Sequence, residues 1–148
     1  MRLKSKLHKI LLVDDSFDDN FVHSRLLKQM DISQEIDTAR DGEDALAYLS
    51  SEGSYSDYLP NFPKPELIFL DINMPKMNGW EFLEEYDKLP DAQKGGNVIV
   101  MLTTSLNPDD VSKAKEYGDI KTFLNKPLKE EIVWQILQKF FPAYVVEE

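Results

Sequence analysis

The chain reads as an α/β domain: a doubly wound, five-stranded parallel sheet in the order 2-1-3-4-5, flanked by five helices. Three observations predict this. Apolar runs such as Ile10-Leu11-Leu12-Val13, Leu67-Ile68-Phe69-Leu70 and Val98-Ile99-Val100-Met101-Leu102 are continuous, as strands buried on both faces require. Stretches of helical periodicity lie between them, so strands and helices alternate. The 148 residues suffice for one core, and no repeat, low-complexity tract or linker divides them.

The first strand covers residues 8–14 and ends in Asp14 and Asp15. The basic stretch before it is a lead-in, because the apolar run is too short for a signal segment and ends in two acids. Ser16 and Asp18 are candidate caps for a helix running to about Met30, with Phe21, Val22, Leu26 and Met30 as its apolar stripe. His23 falls on that helix's outer surface. Residues 35–39 make a weak second strand, in which only Ile36 and Ala39 are apolar. Gly42 opens a second helix with Ala45, Leu46 and Leu49 inward. Residues 53–65 form a polar, three-proline connection. Its Tyr55, Tyr58 and Phe62 either dock a partner or pin the loop to the body.

The third strand is Leu67–Asp71, entered past Pro63 and Pro65. Met74-Pro75 and Asn78-Gly79 are turn dipeptides, and a helix follows from about Gly79 to Leu89 with Phe82, Leu83 and Tyr86 inward. Residues 97–103 are the fourth strand. Asn107-Pro108 is a cap-plus-proline helix start, with Val111, Ala114 and Tyr117 as the apolar face. Residues 121–125 form a short fifth strand stopped by Lys126-Pro127. The last helix spans residues 129–140, with Ile132, Val133, Ile136, Leu137 and Phe140 at helical spacing. Trp80 and Trp134 are packing residues. In the tail, Phe141, Tyr144, Val145 and Val146 either pack back on the domain or mediate dimerisation.

Composition excludes several classes of function. Seventeen Lys and Arg against 27 Asp and Glu give a net charge of −10, which argues against a nucleic-acid-binding face. With no cysteine, disulfides, thiolate catalysis and Cys-based metal sites are ruled out. No apolar run approaches the roughly 18 residues of a membrane span, so a cytoplasmic protein is expected.

Ligands bind open α/β sheets outside the carboxyl ends of the strands, at the switch in strand order. Taken alone, Asp71 at the end of an apolar strand is a solvated turn residue. The predicted order, however, sets Asp14 and Asp15 beside it. Three packed carboxylates repel one another, and at least one stays protonated without a counter-charge. A hard divalent cation such as Mg²⁺ resolves this. Asp15 and Asp71 would bind directly, Asp14 directly or through water, together with a carbonyl just past the third strand, most simply that of Asn73. Thr103 and Lys126 end the fourth and fifth strands at the same edge, supplying a hydroxyl donor and an ammonium suited to a phosphoryl oxygen. A cis Lys126–Pro127 bond would aim the lysine back over that edge. A carboxylate nucleophile, a metal cradle and fixed donors are what forming an aspartyl phosphate requires.

Asp14-Asp15, Asp71 in LDINMPKMNG, Thr103 in MLTTS, and Lys126-Pro127 after Phe123-Leu124-Asn125 resemble the receiver domain of two-component response regulators, the CheY-like fold. The resemblance covers nearly the whole chain. It implies one receiver domain over residues 1–148, with a core of about 9–140, a long 53–65 insertion and a 141–148 tail. Asp71 is then the phosphoacceptor, Asp14 and Asp15 the acidic pair for Mg²⁺, Thr103 the switch hydroxyl, Phe123 the switch aromatic and Lys126 the family's lysine. Asn73 and Ser105 would tune the lifetime of the phosphate.

The implied partner is a sensor histidine kinase or histidine phosphotransfer protein. Output would pass by protein contact through the face of the fourth helix, fifth strand and fifth helix. A homodimer is compatible with this layout. The chain departs from many family members in ending without a DNA-binding or enzymatic output domain, so transcriptional output is not expected. The resemblance implies a signalling phosphoacceptor that promotes only its own phosphorylation and dephosphorylation. A haloacid-dehalogenase-type phosphohydrolase would place an acid two residues past the nucleophile, where this chain has Asn73. A non-phosphorylated scaffold would not need the set of Asp14, Asp15, Asp71, Thr103 and Lys126.

Overall fold

The computed structural model describes residues 2–50, 64–94, 97–104, 107–116 and 120–146. Tyr55, Tyr58, Phe62, Ser105 and Tyr117 lie outside the described residues.

Five strands form the main sheet: β2 (Leu7–Val13), β3 (Ser33–Ala39), β4 (Leu67–Asp71), β5 (Val98–Thr103) and β6 (Ile120–Asn125). Their spatial order is β3-β2-β4-β5-β6 and every pairing is parallel, which is the expected 2-1-3-4-5 arrangement. The helices are α1 (Phe17–Met30), α2 (Gly42–Ser50), α3 (Gly79–Asp87), the short α4 (Asp91–Lys94), α5 (Pro108–Ala114) and α6 (Glu130–Phe140).

Alternation along the strands divides the core between two faces. Leu11, Val13, Ile68, Leu70, Ile99 and Met101 pack with residues of α2 and α3 on one side. Leu12, Leu67, Phe69, Val100 and Leu102 pack with Leu27 of α1 and Val133, Ile136 and Leu137 of α6 on the other. All five residues of β4 are buried, so truncating Phe69 or Leu70 to Ala would cost about 2–5 kcal/mol.

The edge strand β3 has few apolar residues and is held from beneath by a charge. Lys9 of β2, 2% exposed, lies 3.1 Å from Glu35 and 3.5 Å from Asp37 on β3. Tyr48 of α2 donates to Asp37 at 2.6 Å, and its ring sits under the Lys9 ammonium.

Helix α1 departs from the expected stripe. Phe21 and Val22 are 55% and 54% exposed, Phe21 stacking on the exposed Phe17, while Asn20, His23 and Leu27 form the buried line. Leu26 and Met30 pack only partly against the core. Polar bonds set this rotation. Asn20 Nδ2 donates to the carbonyls of Asp14 and Ala39, and His23 Nε2 accepts from the Leu128 amide at 3.3 Å. His23 is therefore not a surface residue.

The tail packs back on the domain. Phe141, Tyr144 and Val145 lie against the α1/α6 side of the core, and Tyr144 donates to Glu66 at 2.9 Å. β7 (Val145–Val146) pairs antiparallel with β1 (Arg2–Leu3), forming a two-stranded ribbon apart from the main sheet.

Candidate functional site

The main-sheet strands bring their carboxyl ends to one edge, and the site is built there. β4 ends in Asp71, 5% exposed, and Asp14 follows the last residue of β2 at 4% exposed, while Asp15 faces solvent. One carboxylate oxygen from each of the three lies within 4.8 Å of the others. Hard oxygen donors, two of them buried and one open to water, suit a hard divalent cation that keeps some of its waters.

Local structure fixes each group. The Asp14 amide donates to Ala39 of the neighbouring strand, and Asp14 Oδ1 accepts from the Ser16 amide at 2.9 Å. Ser16 in turn caps α1 by accepting from the Asp19 amide. Past Asp71, the Ile72 amide donates to Leu102 and the Ile72 carbonyl accepts from Gly79 at 2.8 Å, folding the turn back under the strand end. A Cβ at position 79 would lie 2.9 Å from the Asp71 carbonyl oxygen, so only glycine lets α3 start this close. Asn78 then begins α3 with a capping box shared with Glu81. Asn73 sits exposed in the same turn, two residues past Asp71.

Lys126 enters from the end of β6. Its amide donates to the Thr103 carbonyl at 2.7 Å, and the Lys126–Pro127 bond is cis, as expected. The ammonium meets three carboxylates: Asp14 at 2.6 Å, Asp19 at 2.9 Å and Asp71 at 3.3 Å. Thr103 closes β5 in a buried position, and Phe123 lies half-buried on β6 opposite Met101. Beside Phe123 a groove of about 170 Å³ runs between β6 and α5, lined by Val111, Ala114, Lys115, Ile120 and Thr122.

Burial, then the nearby charge of Asp14, pushes the Asp71 carboxyl up from 3.8 to about 6, against the opposing pull of Lys126. Burial alone would lower the Lys126 ammonium, but its bonds to Asp14 and Asp19 and the charge of Asp71 outweigh this and raise it. The lysine stays charged, and Asp71 titrates close to neutrality. The edge thus joins two buried acids, an exposed third, a buried threonine and a fixed cation.

The structure brings Asp14, Asp15, Asp71 and Lys126 together and sets Thr103 beside them through Lys126. Phe123 stands one strand further out. Asp19, Asn20, His23 and Gly79 were missed from sequence. Asp19 stands on the first turn of α1, the turn directly after the Ser16 cap, which starts the helix at the strand-end edge.

Residues 10–138 match the family profile described as response regulator receiver domain. Response regulator Rcp1 of Synechocystis sp. is 37% identical over 129 residues, spanning 87% of this chain and 83% of its own. The crystal structure of the Mn(2+)-bound form of response regulator Rcp1 aligns with a TM-score of 0.68 at 33% identity, covering 95% of this chain and 99% of that one. That of the phosphorylated cyanobacterial phytochrome response regulator RcpA aligns with a TM-score of 0.75 at 29% identity, covering 97% and 100%.

Proposed function

The chain belongs to the response regulator receiver domain family, and from that premise we propose that it is a phosphoacceptor switch of two-component signalling in which Asp71 receives the phosphoryl group. The observation that carries this reading is the cluster of Asp14, Asp15 and Asp71 with the Lys126 ammonium among them.

In this reading an Asp71 carboxylate oxygen attacks the phosphorus of a phosphohistidine on a kinase or phosphotransfer protein. The O–P bond forms as the P–N bond breaks, and its electron pair leaves with the imidazole nitrogen. A divalent cation, Mg²⁺ by its fit to hard oxygen donors, would be held by Asp14, Asp15, Asp71 and the Asn73 carbonyl and would offset the charge of the transferring group. Support comes from the relatives: Rcp1 is described with Mn²⁺ and RcpA as phosphorylated.

Lys126 and the Thr103 hydroxyl then hold phosphoryl oxygens. Movement of Thr103 toward the phosphoryl group opens space into which Phe123 turns, remodelling the α5/β6/α6 face for a protein partner. Asn73 and Ser105 tune how long the phosphate survives. The receiver core is about residues 9–140, and its chemistry is confined to its own phosphorylation and dephosphorylation in the cytoplasm. Among the described residues, no helix is long and apolar enough to cross a membrane.

Acetyl phosphate with Mg²⁺, followed by hydroxylamine, tests the nature of the bond. An acyl phosphate gives a hydroxamate at Asp71. A phosphate that resists hydroxylamine, or a hydroxamate elsewhere, contradicts the assignment.

A further inference from the structure

Of the three carboxylates around Lys126, Asp19 has no part in the phosphoacceptor reading. It stands on the first turn of α1 with its side chain 40% exposed, and its Oδ2 lies 2.9 Å from the ammonium. One turn further along the same helix, His23 accepts the Leu128 amide. Helix α1 therefore grips Lys126–Pro127–Leu128 at both ends, by the lysine side chain through Asp19 and by the backbone through His23.

We propose that Asp19 is a positioning residue that holds the Lys126 ammonium in its resting place and competes for it with the phosphoryl group on Asp71. The inference rests on the phosphoacceptor reading. A phosphoryl group brings negative charge to Asp71 and needs Lys126 as a partner. In the resting protein that ammonium is shared between Asp14, Asp19 and Asp71, so it must be drawn away from Asp19 or divided with it. Asp19 thereby weakens the site for an anion. The same bond acts oppositely on a cation. By neutralising part of the lysine's charge and drawing it outward, Asp19 leaves Asp14 and Asp71 freer to bind a divalent ion. Opposite effects on cation and anion are the signature of this role, because a residue that merely supports the fold would affect both in the same direction.

The test is calorimetric titration of the full chain with Mg²⁺ alone, and with beryllium fluoride in saturating Mg²⁺, for wild type, Asp19→Asn and Asp19→Glu. Asp19→Asn is expected to weaken Mg²⁺ and tighten beryllium fluoride, each about two- to fivefold, the range for a partly exposed ion pair. Asp19→Glu should restore wild-type values for both. In a Lys126→Met background both effects of Asp19→Asn should fall away. Weakening of both ligands, no change in either, or effects that persist without Lys126 would each overturn the inference. Wild type that binds no beryllium fluoride would remove the phosphoacceptor reading and this inference with it. Wild type that binds while Asp19→Asn is unchanged removes the inference alone.

Discussion

The Lys126 ammonium donates to Asp14 at 2.6 Å, across 112 residues of chain, and lies farther from Asp71, at 3.3 Å. The lysine thus neutralises the acid beside the candidate phosphoacceptor more directly than the acceptor itself. This leaves Asp71 with burial and Asp14 as its dominant influences, and with a pKa near 6.

Removing Lys126 leaves two buried carboxylates without their counter-charge. Lys126→Met is expected to destabilise the metal-free protein by about 3 kcal/mol, the scale for breaking a buried ion pair. Much of that loss should return in millimolar Mg²⁺, because a cation replaces the ammonium. Urea unfolding with EDTA and with Mg²⁺ measures both, and an equal loss in the two conditions would argue against a shared cation and lysine site.

Asp71 gives a pH dependence of definite sign. Its folded pKa is raised above its ordinary value, so the folded state holds the proton more tightly and Asp71 destabilises the metal-free fold as pH rises from about 4 to about 6. The difference corresponds to roughly 3 kcal/mol. Asp71→Asn should therefore stabilise the protein in EDTA at pH 7, with the gain vanishing below pH 4. Thermal unfolding across that range checks it, and a pH-independent difference would contradict it.

His23 titrates in the opposite sense. Burial lowers its pKa below 6.5, against the upward pull of Asp19, and Leu128 needs its unprotonated Nε2. Its contribution is present above pH 6.5 and lost as pH falls. His23→Ala should cost about 1–3 kcal/mol at pH 7.5 by leaving the Leu128 amide unpaired. That cost should shrink in acid. Chemical unfolding of the variant and wild type at several pH values reads the trend.

The edge strand β3 depends on the buried Lys9. Asp37→Ala removes the acceptor that serves both Lys9 and Tyr48, and about 2–4 kcal/mol of stability should go with it. Lys9→Met fills the same space without a charge to satisfy and should cost less. Amide exchange along β3 would localise the effect, and equal losses for the two variants would contradict it.

Much of the site was legible because parallel strands leave a simple trace. Continuous apolar runs place Asp14, Asp71 and Thr103 at strand ends, and strand order alone then brings them to one edge. The rotation of α1 was not legible. Counting apolar residues selects Phe21 and Val22, whereas Asn20 and His23 turn inward because Asn20 Nδ2 donates to carbonyls at the strand ends and His23 Nε2 accepts the amide that follows Pro127. Asp19 was hidden for a related reason, since acids in a first helical turn ordinarily complement the helix dipole and face water. The β1–β7 ribbon has two residues per strand, too few for any periodicity to appear.

The most direct test of the central claim is intact mass after incubation with acetyl phosphate and Mg²⁺, for wild type and Asp71→Asn. The expected result is one added phosphoryl group on wild type, lost with EDTA and absent from the variant. Phosphorylation of Asp71→Asn to the same extent as wild type would contradict it. So would wild type that gains no phosphoryl group and also fails to bind beryllium fluoride.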